Sequence, residues 1–144
     1  MQELFADTNI FGIAVDPEDD RRSDVWEELE KVSNGEKKLI TSGLTISEIE
    51  DNPHEETREK EMDLLEILTD EKVELSEDVI ELSEKLEKEA GIGVVDSQIL
   101  ASAILREAVF WTGDRNLMNE QNIEKLHDAL DKFDSDLELN YRIE

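Results

Sequence analysis

Short apolar runs alternate with stretches of helical periodicity along this chain, and this alternation constrains its fold more than any other feature. Each apolar run is only a few residues long, as expected of a buried strand rather than a helix. These runs predict strands over residues 4–6, 39–42, 72–75, 109–112 and 137–143. Helical spacing and capping residues between them predict helices over residues 8–15, 23–32, 44–50, 54–69, 76–91, 96–108 and 123–133.

Strands that alternate with helices build a parallel sheet covered by helices on both faces. Right-handed crossovers place the carboxyl ends of the strands on one rim of such a sheet, and ligands bind there, near the point where the strand order reverses. The chain has 144 residues, so we expect residues 1–144 to form a single domain. With no cysteine, the chain has no disulfide scaffold, thiolate metal site or cysteine nucleophile.

The chain is strongly acidic, with 40 acidic and 15 basic residues and a formal net charge of −25. We interpret most of these carboxylates as a solvated surface suited to high internal salt, because screening reduces their mutual repulsion. An acidic mimic of nucleic acid is the alternative. The apolar runs are too short to span a bilayer and the N-terminus lacks a signal peptide, so we expect a cytoplasmic protein with no membrane partner.

A few carboxylates occupy positions that solubility does not require. Asp7 and Asp114 follow predicted strands, Asp96 opens the most apolar helix, and Glu48 lies in the helix after the second strand. Carboxylates that converge on one rim repel one another and take up protons unless a cation compensates them. Magnesium or manganese prefers such oxygen ligands. The pattern therefore predicts a divalent-metal site that hydrolyses a phosphodiester bond by metal-activated water.

The ordered set of motifs resembles the PIN domain family, which includes the VapC-type toxins. The matching segments are Asp7-Thr8-Asn9, Glu48, residues 95–103 and Thr112-Gly113-Asp114, in order along nearly the whole chain. The resemblance implies a three-layer α/β/α sandwich with a mainly parallel central sheet of about five strands. It also implies a metal-dependent ribonuclease whose Mg2+ or Mn2+ is bound by Asp7, Glu48, Asp96 and Asp114. Thr8 or Asn9 would orient the first carboxylate, and Thr112 would support the fourth.

One position departs from the family pattern. Many members carry another acidic residue two positions after the fourth aspartate, where this chain has Asn116. Its amide can bind a water or a phosphate but adds no charge, so a second metal would bind weakly or only with substrate. Arg115 could contact a substrate phosphate beside the metal. The basic pairs Arg21-Arg22 and Lys37-Lys38 are interpreted as solvated turns, with RNA contact as the alternative.

The resemblance also implies a biological setting. The expected protein is the toxin of a VapBC-type toxin–antitoxin pair, an endoribonuclease acting on an RNA such as tRNA or rRNA. Its implied partners are a small antitoxin protein and a second copy of the chain in a homodimer.

Two other functions stay open from the sequence. A PIN-like module that binds RNA or a partner with weak or no catalysis is compatible with Asn116. A magnesium-dependent, haloacid-dehalogenase-like phosphatase also places aspartates at strand ends, but it needs a second aspartate two residues after the first. Asn9 occupies that position here, which disfavours the phosphatase.

The acidic surface generates a prediction about salt. Raising potassium chloride from dilute buffer to about 1 M should raise the melting temperature, because the Debye length then falls to roughly 3 Å and the surface carboxylates no longer repel one another. Thermal unfolding followed by circular dichroism over a salt series measures this. A melting temperature independent of salt would contradict the halophilic interpretation.

Overall fold

A computed structural model of the chain describes residues 1–113, residue 124 and the backbone of residues 141–143. Five strands form one sheet in the order β3-β2-β1-β4-β5, and every adjacent pair is parallel. The strands are β1 (Gln2–Ala6), β2 (Lys37–Ser42), β3 (Glu71–Val73), β4 (Val109–Thr112) and β5 (Tyr141–Ile143). The predicted parallel sheet of about five strands is therefore confirmed.

Six helices are present in the described part of the chain, all connecting the first four strands. They are α1 (Thr8–Val15), α2 (Arg22–Ser33), α3 (Gly43–Glu50), α4 (Glu55–Leu68), α5 (Glu77–Ala90) and α6 (Val94–Arg106). None of the helices in this part of the chain is long and apolar enough to cross a bilayer.

The central strands are buried on both faces because their side chains alternate between two hydrophobic cores. Leu4, Ala6 and Trp111 belong to the core that contains residues of α1, α2 and α4. Phe5 and Phe110 point to the opposite face and pack in the core formed with α5 and α6. The three-layer sandwich follows directly from this alternation, and Trp111 is fully buried as its position in a central strand predicts.

Three details differ from the expectation drawn from the sequence. α6 begins at Val94, two residues before the predicted start, because Gly93 supplies its extended N-cap. That helix ends at Arg106 rather than residue 108, since Glu107 adopts a left-handed conformation with φ 59°. The helical spacing of Met62, Leu65, Ile67 and Leu68 predicts that they lie on or near one face of α4, but Ile67 is 78% exposed. Of the predicted helix at 123–133 the structure describes only residue 124, which is helical, and strand residues 137–140 lie outside the described part of the chain.

The basic pair Lys37-Lys38 forms ion pairs within the fold instead of a solvated turn. The Lys37 ammonium pairs with Glu28 of α2, whose side chain is buried, and Lys38 lies within ion-pair distance of Glu3 and Glu71. Burying Glu28 without a cation would be costly, so Lys37 is needed where β2 packs against α2. Both lysines therefore have ion-pair partners within the fold.

The strand order reverses direction between β1 and β4. The chain leaves β1 toward β2 and β3 on one side, and β4 is added on the other side of β1. In sheets of this kind the crevice at such a reversal lies beyond the carboxyl ends of the two strands. Asp7 directly follows β1 and Gly113 directly follows β4, so the fold brings both segments to this crevice.

Candidate active site

Asp7 lies at the junction between β1 and α1 and is 5% exposed. It is the N-cap of α1: its Oδ1 accepts a hydrogen bond of 2.8 Å from the Thr8 backbone N–H. Its Oδ2 accepts a bond of 2.9 Å from the Thr112 hydroxyl and one of 3.5 Å from Asn9 Nδ2. The carboxylate is therefore fixed by donors from two neighbouring strand ends, which are more than 100 residues apart in the sequence.

The surroundings of Asp7 oppose its ionisation. Burial is the largest cause, and together with the negative charges of Asp96 and Glu48 it raises the pKa of Asp7 to about 6. The hydrogen bonds from Thr112 and Thr8 act in the other direction by stabilising the carboxylate. Asp7 is thus a buried acid whose negative charge is only partly compensated by hydrogen bonds.

Glu48 lies on the exposed side of α3, while Ile49 on the same helix is buried. The Thr8 hydroxyl donates a hydrogen bond of 2.6 Å to Glu48 Oε1. Thr8 therefore serves both acids: its backbone N–H holds Asp7 and its hydroxyl holds Glu48. The sequence suggested only that Thr8 or Asn9 orients the first carboxylate.

Asp96 is the third residue of α6 and is half-buried. A carboxylate in the first turn is favourable because the N-terminal end of a helix carries partial positive charge. Asp96 does not cap this helix, because Gly93 is the N-cap. Its charge reaches Asp7 and contributes to the raised pKa of that residue.

Asn9 connects the ends of β1 and β4. Its Oδ1 accepts a bond of 2.8 Å from the Gly113 N–H, and its Nδ2 donates to Thr112 Oγ1 at 3.4 Å. Thr112 is fully buried, and its hydroxyl in turn donates a hydrogen bond to Asp7 Oδ2. Thr112 thus supports the first predicted acid directly, whereas the sequence led us to expect that it supports the fourth.

Arg21 binds the backbone next to the site, a contact that the sequence did not predict. Its Nη1 donates a bond of 2.9 Å to the backbone carbonyl of Gly113, while its Nε and Nη2 bind the two carboxylate oxygens of Asp19. Arg22, the other half of this basic pair, donates to the Ala14 carbonyl and lies over the Trp26 ring. The contacts with Gly113 and Ala14 cannot be recognised from the sequence, because in both the acceptor is a backbone carbonyl of another segment.

Three predicted site residues, Asp114, Arg115 and Asn116, lie outside the described residues. Among the described residues, no group of three or more His, Cys, Asp or Glu side chains is arranged to hold a metal ion. The structure does bring the charges of Glu48 and Asp96 to bear on Asp7.

The chemistry of these side chains nevertheless suits a hard cation. The predicted ligands present in the described part are carboxylates, whose oxygens Mg2+ and Mn2+ prefer. Asp7 is buried, and the charges of Glu48 and Asp96 act on it, so a divalent cation would stabilise its ionised form and offset the raised pKa. The donor set therefore fits a metal, although it does not distinguish magnesium from manganese.

Comparison with known protein families places this geometry in context. A family model described as the PIN domain matches residues 4–121, which include the four predicted metal ligands Asp7, Glu48, Asp96 and Asp114. The chain belongs to the PIN domain family. No curated protein sequence matches it.

Solved PIN structures share the fold. VapBC2 from Rickettsia felis, bound to a DNA fragment from its promoter, matches with a TM-score of 0.67 and 16% identity over 99% of this chain and 98% of that one. VapBC-1 from nontypeable Haemophilus influenzae matches with a TM-score of 0.64 and 18% identity over 99% and 98%. A toxin–antitoxin complex from Klebsiella pneumoniae gives 0.64 and 20% over 83% and 93%. At these identities the likeness shows the fold.

The raised pKa of Asp7 predicts how stability depends on pH without divalent ions. Between about pH 4 and pH 6 the folded protein retains a proton on Asp7 that the unfolded chain has lost, so the free energy of unfolding falls as pH rises. This rise of about 2 units in the pKa of Asp7 lowers the free energy of unfolding by an amount on the order of 3 kcal/mol once the pH is well above 6.

The Asp7→Asn variant should lack this contribution. At pH 8 we expect its free energy of unfolding to exceed that of wild type by about 1–3 kcal/mol. The variant has no buried charge to penalise, but its amide loses one accepted hydrogen bond worth about 1 kcal/mol. This advantage of the variant should shrink by about 2 kcal/mol as pH falls from 8 to 4, because Asp7 of wild type then takes up its proton. Urea unfolding in EDTA and molar potassium chloride measures the difference, with the exposed Asp63→Asn as the charge-matched control. A difference that does not vary with pH would contradict the raised pKa.

Proposed function

We propose that this protein is a divalent-metal-dependent endoribonuclease. The observation that carries the proposal is the Asp7 carboxylate: it is buried, fixed by Thr8 and Thr112, and exposed to the charges of Glu48 and Asp96. Burial and repulsion both disfavour the ionised form of Asp7 when no cation is present, and its hydrogen bonds offset only part of that cost. Membership of the PIN domain family, whose members are typically nucleases, supports the same activity.

The proposed ligands are Asp7, Glu48, Asp96 and Asp114, with Mg2+ or Mn2+ as the ion. When bound, the ion would activate a water for attack on an RNA phosphodiester bond and offset the negative charge of the scissile phosphate. The protein contributes orientation. The backbone N–H of Thr8 and the hydroxyl of Thr112 fix the two oxygens of Asp7, and the hydroxyl of Thr8 fixes Glu48.

RNA binding by a protein of charge −25 needs a specific explanation. The protein surface repels phosphates at low ionic strength, and salt screens both this repulsion and any long-range attraction by lysines. Recognition would then depend on short-range contacts at the acidic site, which attracts phosphate only when it holds a cation. Arg115 and the amide of Asn116 are the proposed contacts beside the ion.

The biological setting that we propose is a VapBC-type toxin–antitoxin pair. Matches of this chain to VapBC structures and toxin–antitoxin complexes over nearly their full length support it. The partners would be a small antitoxin protein and a second copy of the chain. The substrate would be an RNA such as tRNA or rRNA, in the cytoplasm.

The phosphatase alternative is disfavoured by the role of Asn9. That mechanism needs an acid at this position, two residues after Asp7. Asn9 instead uses both ends of its amide: the oxygen accepts from the Gly113 N–H and the nitrogen donates to Thr112 Oγ1. A carboxylate in its place would have no hydrogen to donate to Thr112.

RNA cleavage in molar potassium chloride with manganese tests the proposal. Asp7→Asn and Asp96→Asn should each lower the cleavage rate at least about 100-fold, because loss of a ligand removes several kcal/mol of charge stabilisation in the transition state. Asp63→Asn, which changes the charge equally on the exposed side of α4, should cleave at the wild-type rate. Equal rates in all four proteins, or cleavage that persists in EDTA, would contradict the proposal.

A further inference from the structure

Both backbone polar groups of Gly113 are bound by side chains. Its N–H donates to Asn9 Oδ1 at 2.8 Å, and its carbonyl accepts from Arg21 Nη1 at 2.9 Å. Gly113 is buried and directly follows β4, so a single residue joins the end of that strand to both α1 and the segment before α2. Both partners are side chains from distant parts of the sequence, so the backbone of Gly113 is restricted by a clamp of contacts beyond its own strand.

Asp19 holds the Arg21 side chain in the orientation that contacts Gly113. Arg21 Nε and Nη2 bind Asp19 Oδ1 and Oδ2 at 3.1 and 3.0 Å, and the Arg21 backbone N–H donates to Asp19 Oδ1 at 2.9 Å. The two side chains are only 26% and 16% exposed. A planar guanidinium can bind a carboxylate through two nitrogens and still direct a third N–H elsewhere, which a lysine ammonium does with much poorer geometry.

The packing around position 113 is tight. A Cβ atom added there would collide with Ile13 Cδ1 and would lie 3.2 Å from Arg21 Nη1. A side chain at this position would have to displace Ile13 of α1 and would crowd the guanidinium. This close packing makes the clamp a specific feature of the strand end.

The clamp connects with Asp7 through an unbroken series of hydrogen bonds. Arg21 binds the Gly113 carbonyl, and the Gly113 N–H orients the amide of Asn9. The Asn9 amide donates to Thr112 Oγ1 and to Asp7 Oδ2, and the Thr112 hydroxyl donates to the same Asp7 oxygen. Gly113 is also joined by its next peptide bond to Asp114.

We propose that Arg21, braced by Asp19, is a positioning residue that fixes the Gly113 peptide and through it the arrangement of the acidic site around Asp7. The inference rests on the proposed function and extends it to a residue that does not touch substrate. It replaces RNA contact as the role of Arg21, since three of the guanidinium N–H groups already bind protein oxygens and Asp19 offsets its charge.

The test compares Arg21→Ala with Arg22→Ala, which removes the same charge from the adjacent residue but leaves Gly113 untouched. Arg22 donates to the Ala14 carbonyl and is exposed, so it is a matched control. The first measurement is amide hydrogen exchange at Gly113 by NMR without metal. Exchange should be faster by about tenfold or more in Arg21→Ala and unchanged in Arg22→Ala. Equal exchange in the two variants would overturn the proposal.

The second measurement is kcat and KM for cleavage of a single-stranded RNA with manganese. Arg21→Ala should lower kcat about 10- to 100-fold with KM for RNA unchanged, as loss of a group that orients a metal ligand does. Arg21→Lys keeps the charge and should restore less than half of the lost kcat, since it lacks the fork that binds Asp19 and Gly113 together. A raised KM with normal kcat, or full rescue by lysine, would overturn the proposal in favour of contact with phosphate.

The two proposals can fail separately. If wild type neither binds manganese nor cleaves RNA, the proposed function is wrong, while Gly113 exchange still decides whether Arg21 holds the peptide. If wild type is active and Arg21→Ala matches Arg22→Ala in both measurements, the proposed function stands and the positioning role is wrong.

Discussion

One buried carboxylate, that of Asp7, determines the character of this site. Removing an acid from water disfavours its charged form, and here two further acids increase the penalty. The hydrogen bonds from Thr8 and Thr112 offset only part of this cost, since the pKa of Asp7 remains raised to about 6. A bound cation would offset the remaining cost of this charge, and the hydrogen bonds hold the carboxylate in place.

The sheet topology explains how distant residues reach this carboxylate. β1 and β4 are adjacent and parallel, so Asp7 and Gly113 leave the sheet side by side although 106 positions separate them. Asn9 accepts a hydrogen bond from the Gly113 N–H across this junction, and Arg21, just before α2, donates one to the Gly113 carbonyl. The same arrangement leaves the remaining surface free to carry solvated acids. The charge of the protein and the charge of its site therefore have separate physical roles.

Much of the fold follows from local sequence signals. Apolar runs and helical spacing predict β1, β2, β4 and α1 within two residues of their ends, because these elements are specified by short-range periodicity. The start of α6 was missed because Val94 and Val95 resemble a strand end, whereas Gly93 caps the helix before them. The rim position of Asp7 and the proximity of Glu48 and Asp96 were predictable once the sheet was taken as parallel.

The contacts that the sequence concealed are those made to backbone atoms or to buried charges far along the chain. Arg21 binds the carbonyl of a residue 92 positions away, and no side-chain pattern marks such a partner. Lys37 is committed to Glu28, whose burial is invisible in an acidic sequence.

The most direct measurement is a crystal structure of the protein soaked in manganese, with anomalous scattering recorded at the manganese edge. The site inferred here requires an anomalous peak in coordination contact with Asp7 and at least one of Glu48, Asp96 and Asp114. A well-ordered Asp7 with no peak beside it, while manganese binds other surface carboxylates, would contradict the shared metal site.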